Sequence, residues 1–246
     1  LAERAIHMSP TLGYPRLHLR RTDSTNERAR ELAAAGAPSG ALVTAAEQTA
    51  GRGRQGRMWW APAGSSLLVS LLLRDPPRLL PLIAGVAVCD VACESAAVKW
   101  PNDIVIPRQA PLKDAPALAK LAGILVEGRP QEGWAVVGIG VNVAVCPEDV
   151  PAELSATAAS LGLPASEIEP LLTRLLGAFA RRLGEPEGSV LDAWRARDAL
   201  LGREVSWQTG RGTAHGVDDR GHLVVRLPDG TTQALSAGEV HLQPGA

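Results

Sequence analysis

The sequence predicts an α/β (α+β) chain in two parts: a mixed β-sheet flanked by helices over residues 1–200, then a small β-barrel-like domain over residues 201–246. Upstream of Leu201, short runs rich in Val, Leu and Ile take turns with alanine- and leucine-rich segments, the pattern of strands and covering helices. Downstream, Glu204 to Gln208, Gly212 to Val217, His222 to Leu227 and Thr231 to Leu235 alternate in polarity. Asp218-Asp219-Arg220-Gly221 and Pro228-Asp229-Gly230 supply turns between them. At 246 residues and 46% hydrophobic, the chain can fill one good core and a small second domain.

Taken in order, Leu17 to Arg21 is a first strand, and a helix follows through Ala35 until Gly36 stops it. Ser24 with Glu27 reads as a capping box. Ser24, Thr25 and Asn26 also put three polar side chains beside free helix N–H groups, a good place for a ligand's polar head. Ala41 to Glu47 is a strand that delivers Gln48 to a loop at 51–57. Ser65 to Leu73, almost all apolar, is a central strand, and Leu79 to Ser95 is the helix crossing back. Val98 to Ile106 is a strand broken at Trp100-Pro101-Asn102-Asp103. Proline is poorly tolerated inside a sheet, so a bulge or turn there aims Asn102 and Asp103 into a site.

Pro107 to Ala119 is a loop. Leu121 to Glu127 and Trp134 to Val145 form a hairpin around Gly128 to Gly133, with Gly138 and Gly140 leaving two gaps on one face. Ser166 to Leu183 and Ser189 to Ala199 are amphipathic helices.

The formal net charge of −1 points to no nucleic-acid or membrane partner, so any steering is local. Cys89, Cys93 and Cys146 read as buried reduced thiols of a cytosolic protein. Leu1 to Arg21 holds no continuous apolar run, and Leu79 to Cys93 is broken by Pro81, Gly85 and Asp90. The expectation is a cytoplasmic protein.

The strongest local charge is GRGRQGR, Gly51 to Arg57. Glycines let backbone close over a ligand, and arginines offer planar forks of donors to phosphate or carboxylate. The stretch reads as a mobile, cationic lid. Gly51, Gly53 and Gly56 match the dinucleotide fingerprint G-x-G-x-x-G, but Pro62 and Gly64 stand where its helix should run, so the match is accidental.

STN (Ser24 to Asn26), EQTAGRGRQGR (Glu47 to Arg57), KWPND (Lys99 to Asp103), KLAGILVE (Lys120 to Glu127) and GIGVN (Gly138 to Asn142) stand in this order. Together they resemble the biotin–protein ligases, strongly over residues 20–145. The resemblance implies an SH3-like barrel at the C-terminus and a two-step adenylation. ATP with Mg²⁺ and biotin give biotinyl-5′-AMP, and a lysine of a biotin carboxyl carrier protein (the acetyl-CoA carboxylase subunit) then accepts the biotin. It implies catalytic roles for Lys120, Arg54 and Asp103. Biotin contacts would come from Ser24, Thr25, Asn26, Gln48, Gly51, Arg52, Gly53, Arg54, Trp60, Lys120, Gly123 and Gly138. ATP contacts would come from Arg52, Arg54, Arg57, Lys120 and Asn142, with Asp103 orienting the acceptor lysine or holding the metal. A homodimer through sheet edges is the family habit, and a monomer is the alternative.

Three departures stand out. About twenty residues precede the Ser24 cluster, too few for the DNA-binding domain of many bacterial members, so the expected type is monofunctional. The 107–119 stretch is long and introduces Lys113 as a competitor to Lys120, whose register the apolar residues after it fix. No arginine follows Arg226. The rival readings are a lipoate–protein ligase or octanoyltransferase of the same fold, and a non-catalytic biotin sensor or RNA-binding module.

Overall fold

The structure, a computed structural model, describes residues 12–108, 117–236 and 238–242. Lys113 and most of the 107–119 stretch lie outside the described residues. The elements run β1 (Arg16–Leu19), α1 (Thr25–Ala34), β2 (Leu42–Ala45), β3 (Ser66–Arg74), α2 (Leu80–Val91), β4 (Ala97–Lys99), β5 (Asp103–Pro107), β6 (Leu118–Arg129), β7 (Trp134–Asn142), α3 (Ala152–Ser155), α4 (Ile168–Leu183) and α5 (Glu187–Arg195). Five strands close the chain: β8 (Glu204–Trp207), β9 (Gly210–Val217), β10 (Leu223–Arg226), β11 (Thr232–Leu235) and β12 (His241–Leu242).

The first seven strands make one sheet in the order β1-β2-β3-β7-β6-β5-β4. Only β1 and β2 pair in parallel; the other neighbours are antiparallel. β3 is interior and buried from Ser66 to Leu73, which explains its nearly continuous apolar run. One face packs under α2, α4 and α5; the other packs Ala29 and Ala33 of α1 against Val43, Leu72 and Val136. α2 is helical despite Gly85 and Pro81. Proline sits in its first turn, where no donor is lost, and glycine costs about 1 kcal/mol. Burying Leu80, Leu82, Ile83 and Val86 returns about 2 kcal/mol each. Gly85 faces β4, where an added Cβ would make an ordinary contact with Val98 at 3.4 Å.

The interruption of the strand at Pro101 is a turn: β4 and β5 form a hairpin with Lys99 opposite Asp103. The β6–β7 hairpin runs from Ala122 opposite Val141 to Arg129 opposite Trp134, which puts Gly123 beside Gly140. The second sheet has the order β11-β10-β9-β8-β12, all antiparallel, with no pairing between its two end strands among the described residues. It is fastened to the first unit through the indole of Trp100, which donates to the Gly221 carbonyl at 3.1 Å, and through Arg195 on the Val217 carbonyl at 3.0 Å. Val98 also exchanges backbone hydrogen bonds with Arg197 and Ala199 across Asp198. The buried Asp90 carboxylate receives Arg181, Arg182 and Arg197 at 2.8–3.0 Å, locking α2 to α4 and to the segment after α5.

Two expectations fail locally. Ser24 makes no side-chain cap on α1; instead Gln48 Oε1 accepts the Thr25 N–H at 2.7 Å, while Glu27 pairs with Arg52 at 2.8 Å. A cation in reach outcompetes a reciprocal backbone cap for that carboxylate. Of the thiols only Cys89 is buried, where burial pushes it up to about 12. Cys93 lies beyond the end of α2 and Cys146 beyond β7, and both are exposed.

Candidate active site

A cavity of about 480 Å³ opens over β3, β6 and β7. Every residue given a catalytic, biotin or ATP role from the sequence lines it except Gly51, which is buried beneath the loop. The cavity has a neutral end and a cationic end.

The neutral end is built where α1 begins. Thr22 pairs with Gln48 beyond β1 and β2, so Gln48 lies beside Ser24 and Thr25. Gln48 Oε1 also accepts from Thr25 Oγ1 at 3.0 Å. Ser24, Thr25 and Asn26 are each 4% exposed. Asn26 lies over Gly138, where any Cβ would collide with its amide, and donates to Glu127 Oε2 at 2.8 Å. Ser70, fully buried on β3, stands 2.8 Å from Thr25 Oγ1 and 2.6 Å from Asn26 Oδ1.

The arginine–glycine loop closes as a small hairpin rather than as a loose flap. Gly53 N–H donates to the Arg57 carbonyl at 2.7 Å and Trp59 N–H to the Gly51 carbonyl at 2.9 Å. A Cβ at Gly51 would stand 2.5 Å from the Trp59 carbonyl oxygen, so that crossing needs glycine. Gln55 and Gly56 carry the positive φ values of the turn, and no α-helix follows, so the dinucleotide fingerprint is indeed accidental. The hairpin is tied at both sides. Arg52 reaches Glu27 at 2.8 Å and Glu127 at 3.3 Å, and Arg57 pairs with Glu239 of the segment before β12. Arg52 is thus an anchor of the loop, whereas Arg54 has no carboxylate within ion-pair distance among the described residues.

Trp59, rather than Trp60, lies on the glycines of the floor. A Cβ at Gly140 would be 2.6 Å from its ring and one at Gly123 2.9 Å. Trp60 still lines the cavity. The indole N–H of Trp59 is shielded from solvent and has no hydrogen-bond partner among the described residues. Lys120 Nζ is 5.6 Å from the Trp59 ring centroid and 2.6 Å from Asp103 Oδ1. Its position is fixed by a bulge, where Ile104 faces Ala122 but Val105 faces Lys120. β7 pairs with β6 only from Ala122, and before it the backbone of Lys120 bonds to Thr157 and Ala159, at 2.6 and 2.8 Å.

Beyond Lys120 is the cationic end, with Lys99, Arg54, Arg57 and His241. Burial lowers the pKa of Lys99, Asp103 opposes that shift, and Lys120 and Arg57 add to it. Arg54 is lowered by burial, with Asp103 opposing and Arg57 adding. His241 is lowered by burial and then by Lys99 and Arg57. Such mutual repulsion is relieved when an anion enters. Asn142 reaches this region, but its Nδ2 donates to the Ala159 carbonyl at 2.8 Å and its Oδ1 faces Ser66; one amide N–H remains for a ligand. Asp103 has no second acidic neighbour to share an ion, and among the described residues no three His, Cys, Asp or Glu side chains converge as a metal site.

The sequence reading passed over Trp59, Ser70, Glu127, Glu239 and His241. Each is placed by partners dozens of residues away in the chain, Trp59 by Gly123 and Gly140.

Residues 18–143 match the Biotin/lipoate A/B protein ligase family and residues 200–242 the Biotin protein ligase C terminal domain. A Biotin–[acetyl-CoA-carboxylase] ligase of Paracoccus denitrificans is 37% identical, over 90% of this chain and 98% of that protein. One of the same description from Mycobacterium tuberculosis is 34% identical, over 90% and 87%. The fold matches a biotin protein ligase from Aquifex aeolicus solved with biotin and ATP, with a TM-score of 0.75 and 25% identity, covering 93% of this chain and 98% of the other.

Proposed function

The chain belongs to the biotin/lipoate A/B protein ligase family, and on that premise we propose that its cavity carries out a two-step biotinylation. The protein is a biotin–protein ligase, which activates biotin with ATP and passes the biotinyl group to an acceptor lysine. The ureido ring enters the neutral end against Ser24, Thr25 and Gln48, with Trp59 across its apolar side. The carboxylate then lies at Lys120, and the nucleotide phosphates at Arg54, Arg57 and Lys99.

In the first step a carboxylate oxygen attacks the α-phosphorus and the bond to pyrophosphate breaks, leaving biotinyl-5′-AMP. Two anions meet there, and a preorganised cation between them lowers the barrier. Lys120 is that cation, and the observation carrying the reading is its 2.6 Å pair with Asp103 at the junction of the two ends. Asn142 uses its remaining N–H on the base. In the second step the acceptor amine attacks the carbonyl carbon and the bond to AMP breaks, with Asp103 orienting the amine. The loop shields the anhydride from water. The donor set does not fit a protein-held Mg²⁺, so we assign the ion to the phosphates of ATP.

The acceptor we propose is the biotin carrier domain of a carboxylase, as the names of the relatives suggest. β5 and Asn102 cover β6 as far as Ile124, and among the described residues no strand pairs with the outer edge of Leu125 to Arg129; this supports a homodimer through that edge. A monomer at all concentrations by analytical ultracentrifugation, with and without ligands, would remove the dimer. The use of ATP supports a cytoplasmic site of action, which cell fractionation would check. The primary test is exchange of labelled pyrophosphate into ATP. Exchange that depends on biotin is the expected result; exchange with lipoate or octanoate instead would move the assignment to the sister enzymes.

A further inference from the structure

β6 and β7 separate at the cavity. Their ladder begins with Ala122 opposite Val141, and continuing its register would set Lys120 opposite Val143. Residues 157–163 stand in that gap instead. On one side the Lys120 N–H donates to the Thr157 carbonyl at 2.6 Å, and the Ala159 N–H donates to the Lys120 carbonyl at 2.8 Å. On the other side the Leu161 and Leu163 N–H groups donate to the carbonyls of Asn142 and Val143, each at 3.0 Å.

In a strand the N–H and C=O of one residue point to the same side, so this bridge engages both backbone polar groups of Lys120. Ala159 joins its two sides. Its N–H is on Lys120, and its carbonyl receives the side-chain amide of Asn142 at 2.8 Å. Ser160 fastens the segment to the end of β7: its hydroxyl donates to the Val143 carbonyl at 3.1 Å and accepts from the Val145 N–H at 3.1 Å. Thr157 and Ala158 line the cavity, whereas Ala159 and Ser160 do not. The latter two can influence the chemistry only through the groups they hold.

The Lys120 ammonium is held at its far end by Asp103 at 2.6 Å. The backbone bridge is the second constraint on where that charge sits, and a misplacement of about 1 Å can cost about 100-fold in rate. We propose that Ala159 and Ser160 are positioning residues, which set Lys120 for the adenylation step through the bridge between β6 and β7. The inference rests on the role given to Lys120 and adds what holds it. The interlocked side chains of the neutral end take no hydrogen bond from this segment, so biotin affinity lies outside its reach.

The test begins with Ala159→Pro, which removes the N–H that Lys120 accepts and keeps the carbonyl that Asn142 uses. The kcat of biotin-dependent pyrophosphate exchange should fall by about 100-fold, with biotin affinity by calorimetry unchanged. The decisive comparison is the double variant. Lys120→Ala has already lost the ammonium, so adding Ala159→Pro to it should cost nothing further. Ser160→Ala should lower kcat by about tenfold, and Ser160→Thr, which keeps the hydroxyl, should restore it. Those two variants, with the same Lys120→Ala background, carry the test if the proline variant does not fold. An equal further loss in the Lys120→Ala background, a fall in biotin affinity that matches the fall in rate, or wild-type rates in the folded single variants overturns the positioning role. A near-normal rate in Lys120→Ala itself overturns the reading of Lys120 instead.

Discussion

The two ends of the cavity solve opposite problems. At the neutral end Thr25, Asn26, Gln48 and Ser70 are interlocked before any ligand arrives. At the other end Lys99, Lys120, Arg54 and Arg57 crowd together with, among the described residues, Asp103 and Glu239 to offset them. The first is organised for a neutral ring and the second is strained toward an anion. Recognition is complete in the folded chain, whereas electrostatic relief waits for the nucleotide. On this division a lesion at one end should register in the affinity for one substrate.

The largest effect tests the junction. Lys120→Ala should slow biotinyl-5′-AMP formation by about 1,000-fold, with biotin still bound and the melting temperature little changed. Near-normal exchange of pyrophosphate in the folded variant would remove Lys120 from the mechanism. Next comes Gly140→Ala, whose methyl would sit 2.6 Å from the Trp59 ring. Because Trp59 touches the floor of one end and Lys120 of the other, the affinities for biotin and ATP should both fall, by about tenfold or more. A fall in only one of them, seen by titrating each substrate, would show that the ring serves a single end.

The smallest effect on binding should come from the seam between the two sheets. Burial raises Asp198 to about 6, and its Oδ2 has no partner among the described residues, although the Leu200 N–H bonds to Oδ1. The folded carboxyl therefore holds a proton that the unfolded chain releases near pH 3.8. Stability contributed by the protonated form is complete below pH 3.8 and is lost as the pH rises to about 6, a cost of up to about 3 kcal/mol. Asp198→Asn should thus raise the melting temperature at pH 7.5 by several degrees and leave it nearly level at pH 4. Both substrate affinities should stay put; a shift in either would mean that the seam controls the cavity.

Much of the fold was legible because it rests on short-range patterns. The apolar run from Leu67 to Leu73 reads as an interior strand, and Pro101 forces the turn that presents Asp103. Failures occur where long-range partners decide. Glu27 looks like half of a capping box until Arg52 is seen beside it. The choice between Trp59 and Trp60 depends on which neighbour the hairpin turns toward Gly140. β12 has two residues, too few for any periodicity, yet His241 and Leu242 pair with β8 and reach the cavity. Cys93 and Cys146 are exposed because each stands just past the end of its element. The five sequence words led to the cavity, while the anchors of its loop were invisible.

The indole of Trp100 holds the Gly221 carbonyl, and three residues later the same turn presents Asp103 to Lys120. The second sheet is thereby a buttress for the reacting groups. A grafted C-terminal unit from a distant relative would have to reproduce one carbonyl at one spot, or the graft would fold and leave the catalyst out of true.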